Sequence, residues 1–291
     1  MHQLQYNLHR LSCTRNLVRH LPRHPSFPSI DLVHPSEHLP FTRNMPRLPQ
    51  SSDFPPKAVV SIVPPPNNDP PTNILVLLHG LGDKNDSFTN LGRQMNLPET
   101  ACISIQAPQS LLDLGGYHWG DDIIFDSTNG GIDADAGFKQ ATVLLKIILQ
   151  ETLMEKCGYK PREILIFGFG QGGMAALNLA VALHESASEK TSSELAGVIS
   201  IGAPLPAEAS ASLNPKCKTP ILVCAGSDQS SVTASAEEKL KHVFEFVEIK
   251  RYRRPGDSMP NSRDEMLPIM QFFSRRLQST KGVPPRSVQI S

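Results

Sequence analysis

The sequence lacks three features that mark other classes of protein: a long apolar run, an excess of one charge and paired cysteines. No apolar run approaches the ~20 residues of a membrane-spanning helix, and the strongest, residues 74–78, suits a buried strand. The 28 basic and 28 acidic side chains cancel, so the electrostatic footprint of a nucleic-acid binder is missing. The five scattered cysteines fit a reducing compartment better than a disulfide framework or a zinc site. We therefore expect a soluble cytoplasmic protein with no membrane span, nucleic-acid partner, metal or cofactor.

The N-terminal part of the chain differs in composition from the rest. Residues 1–50 contain six arginines, no lysine and two acidic residues, and 14 of the 26 prolines precede residue 72. Such a segment cannot bury enough apolar surface to offset the entropy lost on ordering. We predict a mostly disordered, basic, proline- and histidine-rich extension over residues 1–55. A single domain over 57–280 and a flexible tail over 281–291 would follow it.

Two interpretations of this extension remain open. The first 30 residues contain arginines and no acidic residue, and five apolar side chains fall roughly on one helical face, a pattern typical of a mitochondrial presequence. These side chains are Leu4, Leu8, Leu11, Val18 and Leu21. The interpretation that we favour is a dispensable extension, with Met45 rather than Met1 as the true start. The first interpretation would place the protein in mitochondria, the second in the cytoplasm.

From Lys57 onward, strand signals alternate with helical ones. Seven short segments are predicted strands, and most of them are nearly continuous apolar runs, the pattern of strands buried on both faces of a sheet. They cover residues 58–63, 73–79, 101–107, 164–169, 197–201, 221–225 and 247–252. Helical patterns cover 132–153, 171–185 and 263–277, the last after a capping-box pair, Ser262 and Glu265. This alternation predicts an α/β fold with a mostly parallel central sheet and helices on both faces.

Two of the predicted strand-to-helix junctions are rich in glycine, and the carboxyl ends of parallel strands are where such folds bind ligands. The first begins at His79 and reads HGLGD; the second reads GFGQGG. Neither contains the pattern of a phosphate loop. The second matches the nucleophile elbow G-x-S-x-G, with Gly168 and Gly172 in place and Gly170 where the serine belongs. If the sharp turn is kept, Gly170 should have a positive φ.

These motifs resemble those of the acyl-protein thioesterase and carboxylesterase family of α/β-hydrolases, whose members read LHGLGD and GFSQGG. The similarity extends from about Lys57 to about Leu277 and includes the sequences QAP from Gln106 and WGD from Trp119. The sequence GFGQGG, together with GDSMP from Gly256, is similar to a fungal branch of the family. The resemblance implies an α/β-hydrolase fold and the hydrolysis of carboxylic esters or thioesters.

The same resemblance places other residues where the catalytic triad should be. Hydrolysis requires a serine, an imidazole base and a carboxylate that orients it. Gly170 occupies the nucleophile position, Gln229 the acid position, with Asp228 one residue earlier, and Met259 the base position. No histidine follows His242, and a thioether cannot accept and return a proton. No intact catalytic residue is therefore predicted.

The resemblance also implies an oxyanion hole formed by the backbone N–H groups of Leu81 and Gln171. Amides near a helix N-terminus attract partial negative charge even where no bond is cleaved. His79, Trp119 and Phe169 are possible lining residues of the pocket.

Two hypotheses for function follow. The one that we favour is a non-catalytic member of the family that binds an acyl-type small molecule or an unknown protein partner. The alternative is a carboxylic-ester or thioester hydrolase of the depalmitoylating type, as the resemblance implies.

Overall fold

The computed structural model describes residues 46–125, 130–187 and 193–282. The predictions for the chain before Pro46 and for the tail beyond Gly282 lie outside the described residues.

Seven strands form one central sheet, at the positions that the apolar runs predict. Their bounds are Val60–Val63 (β1), Asn73–Leu78 (β2), Thr100–Ile105 (β3), Ile164–Phe169 (β6), Gly197–Ile201 (β7), Ile221–Ala225 (β8) and Val247–Arg251 (β9). A short antiparallel pair, Gln109–Ser110 (β4) and Tyr117–His118 (β5), lies outside it. The order in the sheet is β1-β3-β2-β6-β7-β8-β9. Only β1 is antiparallel to its neighbour among these seven strands of the described chain, which confirms the mostly parallel sheet.

Helices pack on both faces of this sheet, as predicted. They are Asn85–Met95 (α1), Lys139–Ile147 (α2, continued by a π-helical stretch, Ile148–Lys156), Gln171–Glu185 (α3), Ala234–Val243 (α4) and Arg263–Arg276 (α5). Alternate residues of β2 enter two cores: Ile74 and Val76 lie in the core shared with α2, α3 and α4, and Leu75 and Leu77 in the core shared with α1 and α5. Within the described ranges, no helix is both long and apolar enough to cross a bilayer.

The helix predicted over 132–153 begins seven residues late, at Lys139. Gly137 precedes it with a φ of 77°, a left-handed conformation that interrupts a helix. The carboxylate of Asp121 then accepts hydrogen bonds from the backbone N–H groups of Lys139 and Gln140, at 2.9 and 2.8 Å. These donors have no partner within a helix, so the carboxylate fixes the place where this helix begins.

The segment 46–55, predicted as part of the disordered extension, instead packs against the domain. Phe54 is buried in the core on the α2 side of the sheet. The backbone N–H of Arg47 donates to the carbonyl of Cys157 at 3.0 Å, and its guanidinium forms two hydrogen bonds of 2.7 Å with the carboxylate of Asp53. Average composition hid the single buried aromatic side chain and the ion pair that hold the segment in place.

The Asp53 carboxylate is expected to stabilise the fold above acidic pH. Hydrogen bonding to the Arg47 guanidinium lowers the pKa of Asp53 from 3.8 to about 2. Its contribution is therefore complete above the unfolded value and is lost as the pH falls through the folded one. We expect Asp53→Ala to lower the free energy of unfolding by about 1–2 kcal/mol at neutral pH. Urea unfolding measured between about pH 5 and pH 3 should show that the loss of unfolding free energy caused by Asp53→Ala becomes smaller as the pH falls.

Deletion of residues 1–44 is the control for this variant, because it leaves the Arg47 and Asp53 side chains in the chain. We expect it to leave the melting temperature within a few degrees. A cost of Asp53→Ala that stays constant with pH would contradict the ion-pair explanation.

Candidate functional site

The turn between β6 and α3 has the shape of a nucleophile elbow. Gly170 has φ 51° and ψ −123° and lies at the N-terminal cap of α3, so the positive φ expected from the sequence is confirmed. Its N–H donates to the carbonyl of Ile201 at 2.9 Å, and its carbonyl accepts from Gly173 and Met174. A Cβ added to Gly170 would meet no heavy atom within 4 Å, so the tip of the turn has open space for a side chain.

Close glycine contacts bring the two glycine-rich motifs together. A Cβ added to Gly168 would lie 2.5 Å from the carbonyl carbon of Gly172, and one added to Gly172 would lie 2.5 Å from the carbonyl oxygen of Leu78. Real Cβ atoms do not approach backbone atoms this closely. A Cβ on Gly80 would be 2.8 Å from the ring of Phe169, which is half-buried over the first motif. The start of α3 therefore packs directly on the end of β2.

His79 connects the loops around this junction rather than lining a pocket. Its Nε2 accepts the backbone N–H of Ala107 at 3.0 Å, which requires that Nδ1 carries the proton and donates to the carbonyl of Gly80 at 2.7 Å. Burial lowers the pKa of His79, in agreement with this neutral form. The indole Nε1 of Trp119 donates to the carbonyl of His79 at 2.8 Å. Both side chains are fully buried, so the lining role suggested for them by sequence is not what the structure shows.

The two expected oxyanion-hole residues lie on adjoining loops. Leu81 follows the close contact at Gly80, and Gln171 is the first residue of α3. In the part of the chain that the structure describes, neither backbone N–H has a hydrogen-bond partner. The buried side chain of Gln171 accepts the N–H of Trp119 at 2.7 Å and donates to the carbonyl of Ala134 at 3.0 Å. The sequence motifs do not predict this second role of Gln171, whose side chain fixes two loops beside the elbow.

A cavity of about 280 Å³ opens beside Gly170 and Gln171. Its lining combines apolar side chains with polar ones. The lining side chains include Met174, Ala203, Pro204, Asp133, Asp135 and Ser231. This volume is close to the lower end of the ~300–1,000 Å³ usual for small-molecule sites. The cavity therefore has room for a small organic molecule.

Asp257, in the loop between β9 and α5, holds the loop that follows β8. Its Oδ1 accepts hydrogen bonds from the N–H of Gly226 at 3.0 Å and the hydroxyl of Ser230 at 2.8 Å, and its Oδ2 accepts the N–H of Ser231 at 2.7 Å. A Cβ on Gly202, beside the cavity, would lie 3.0 Å from the Asp257 carboxyl carbon. In a serine hydrolase the carboxylate orients an imidazole. Here a carboxylate orients a loop, a role that the sequence did not predict.

The residues at the other expected triad positions do not supply an acid–base pair, because neither Gln229 nor Met259 carries a titratable group. Asp228 and Gln229 are exposed, and Gln229 has a φ of 49°. Met259 is half-buried against the core on the α5 side, and its carbonyl accepts from the Arg254 guanidinium at 2.9 Å. Among the described residues, no histidine lines the cavity.

The sheet, the helices on both faces and the elbow define a protein of the α/β-hydrolase fold. Residues 59–277 match the phospholipase/carboxylesterase family, and the chain belongs to that family. This confirms the resemblance found in the sequence motifs.

Two relatives by sequence are named uncharacterized hydrolases. The chain is 30% identical over 211 residues to an uncharacterized hydrolase of Schizosaccharomyces pombe, covering 70% of this chain and 83% of that protein. It is 38% identical over 120 residues to an uncharacterized hydrolase of Mycosarcoma maydis, covering 40% of this chain and 45% of that protein.

Solved structures agree on the fold. Zea mays acyl-protein thioesterase 2 superposes with a TM-score of 0.55 at 22% identity, covering 76% of this chain and 99% of that one. A carboxylesterase from Mesorhizobium loti gives a TM-score of 0.57 at 15% identity, covering 78% of this chain and 99% of that one. At such identities the likeness shows the shared architecture.

Proposed function

We propose that this chain is a non-catalytic member of its family and that the cavity at the elbow binds an acyl ligand. The observation that carries the proposal is Gly170. The turn keeps the geometry that exposes a nucleophile, but the residue at its tip has no side chain.

The backbone around the cavity supports binding of a carbonyl or carboxylate oxygen. The N–H groups of Leu81 and Gln171 have no partner in the described chain, and that of Gln171 is at the N-terminus of a 15-residue helix. Donors at such a position stabilise negative charge on a ligand oxygen. The apolar side chains of Met174, Ala203 and Pro204 would contact the short acyl chain.

The side chains around the cavity argue against hydrolysis. A hydroxyl becomes an effective nucleophile only beside a general base. The expected base position carries Met259, and the carboxylate of Asp257 is engaged by three donors of the neighbouring loop. The site resembles that of a serine hydrolase whose catalytic triad has been removed. In such an enzyme the oxyanion hole and substrate binding alone accelerate the reaction only ~10³–10⁴-fold over water.

The alternative is a carboxylic-ester or thioester hydrolase of the depalmitoylating type. Family membership and the names of the relatives favour it. It requires a nucleophile from outside the elbow, and Ser231 is the hydroxyl residue that lines the cavity. Incubation with a fluorophosphonate probe, followed by mass spectrometry, separates the two functions by showing whether any residue is labelled.

We expect turnover of p-nitrophenyl acetate by the purified protein to stay near background, because the described residues that line the cavity include no activated nucleophile. Ser231→Ala is the matched control and should leave this low rate unchanged. Ordinary esterase rates, or specific labelling of one serine by the probe, would contradict the non-catalytic proposal and favour the alternative.

Binding is tested separately, with ethyl butyrate followed by ligand-observed NMR. We expect Ser231→Trp to abolish binding, because the exposed Ser231 lines the cavity and an indole would fill it. Ser227→Trp, an exposed position four residues earlier that is outside the lining, should bind as the parent does. Equal binding by both variants would place the ester elsewhere.

A further inference from the structure

A second concavity, of about 650 Å³, lies between residues 55–57 and α2. It shares no lining residue with the cavity at the elbow. Most of its lining is apolar: Pro55, Pro56, Val143, Leu144 and Ile147. Val143 is 59% exposed, so it presents apolar surface to this concavity. We call this concavity the α2 groove.

The charged residues of the α2 groove are both lysines, Lys57 and Lys139. Among the salt bridges of the described residues, none includes Lys57 or Lys139. The nearby carboxylate of Asp121 is already used by the backbone N–H groups at the start of α2. Lys139 also lines a neighbouring concavity that contains Glu185 and Glu208. The α2 groove itself therefore combines an apolar surface with two lysines that form no salt bridge among the described residues.

Lys139 lies at the N-terminal end of the helix that forms one side of the groove. Lys139 is the first residue of α2, and Ile147 is its last. The carbonyl of Asp53 accepts hydrogen bonds from Thr152 and Lys156, further along the helical continuation. The chain thus runs from Asp53 back towards the start of α2. Lys57 follows Asp53 by four residues and lines the groove from this segment.

We propose that the α2 groove binds the anion of a medium-chain fatty acid, with its alkyl chain along Val143, Leu144 and Ile147 and its carboxylate between Lys57 and Lys139. The helix rises about 12 Å from Lys139 to Ile147, a length that suits a medium-chain acid. The volume falls within the ~300–1,000 Å³ usual for small-molecule sites. Apolar burial supplies affinity, roughly fourfold per methylene, and the lysines select a negative head group. The inference concerns a site separate from the elbow and does not rest on the function proposed there.

Calorimetric titration of the full chain with dodecanoate, below its micelle concentration, tests the site. We expect saturable binding that Val143→Asp weakens by about tenfold or more, because the new carboxylate repels the ligand and replaces apolar contact. Leu267→Asp is the matched control, since Leu267 is 50% exposed on α5, which packs against the opposite face of the sheet. It should bind dodecanoate as the parent does.

The charge requirement is tested with Lys57→Ala combined with Lys139→Ala. This variant should bind dodecanoate about tenfold more weakly and leave the binding of dodecanol unchanged, because only the acid carries a charge. Lys250→Ala, an exposed lysine on β9, is the control. Equal losses of affinity for dodecanoate and for dodecanol would overturn the assigned role of the lysines.

Three further outcomes would overturn the proposal. The first is the absence of saturable dodecanoate binding. The second is binding that Ser231→Trp removes and Val143→Asp leaves intact, which would place the anion at the elbow. The third is a concentration-dependent dimer that Val143→Asp dissociates, which would assign the groove to a second copy of the chain.

Discussion

Gly170→Ser alone should leave ester hydrolysis near background, whereas Gly170→Ser combined with Met259→His should raise it by about 100-fold or more. A hydroxyl at the tip of the elbow has room, because a Cβ at Gly170 meets nothing within 4 Å. Without a base this hydroxyl is a weak nucleophile at neutral pH. General-base catalysis by a positioned imidazole is worth roughly 10²–10⁴-fold, and this sets the size of the expected gain.

The third substitution, Gln229→Asp, should increase the activity of the double variant further. A carboxylate orients the imidazole and stabilises its charged form. Asp257 does not fill this role, since its oxygens accept three hydrogen bonds from the loop after β8.

The measurement is kcat/KM for p-nitrophenyl butyrate as a function of pH. Activity that depends on the new imidazole should rise with pH through a pKa near ~6.5. Met259→His without the serine is the control and should remain at background. Full activity from Gly170→Ser alone would reveal a base that the described residues do not show, and it would remove the argument for a non-catalytic protein.

The fold was predictable because its signals are local. Most of the seven strands are short apolar runs, and the elbow is recognisable from the spacing of Gly168, Gly170 and Gly172. Positive φ at Gly170 followed from the same spacing, because only a sharp turn explains flanking glycines at a strand-to-helix junction.

What the sequence could not predict depends on partners that are distant along the chain. Phe54 is buried in a core that also contains Leu145 of α2 and Leu149 of its π-helical continuation, so the composition of its own segment gave no signal. Asp257 lies 26 residues or more from its hydrogen-bond partners. The sequence does not distinguish a loop carboxylate that orients a catalytic base from one that accepts hydrogen bonds from another loop. Gln171 likewise reaches Trp119, 52 residues earlier. Such pairings follow from the folded topology, and motif spacing alone does not contain them.

Gly172→Ala should destabilise the fold by about 3 kcal/mol or more, or prevent soluble expression, whereas Gly170→Ala should cost on the order of 1 kcal/mol. The added methyl at Gly172 would lie 2.5 Å from the carbonyl oxygen of Leu78, at the end of a strand in the middle of the sheet. Neither that strand nor α3 can move away without breaking the contacts of both. The methyl at Gly170 meets open space, and its cost comes only from the φ of 51°.

The two variants each add one methyl group, at positions two residues apart, so their urea-unfolding curves can be compared directly. Gly168→Ala should resemble Gly172→Ala, because its Cβ would lie 2.5 Å from the carbonyl carbon of Gly172. Similar small losses for all three alanines would show that α3 can shift away from β2. The backbone N–H groups of Leu81 and Gln171 would then lose the close packing that holds their loops together, and with it the basis for binding an acyl oxygen at this site.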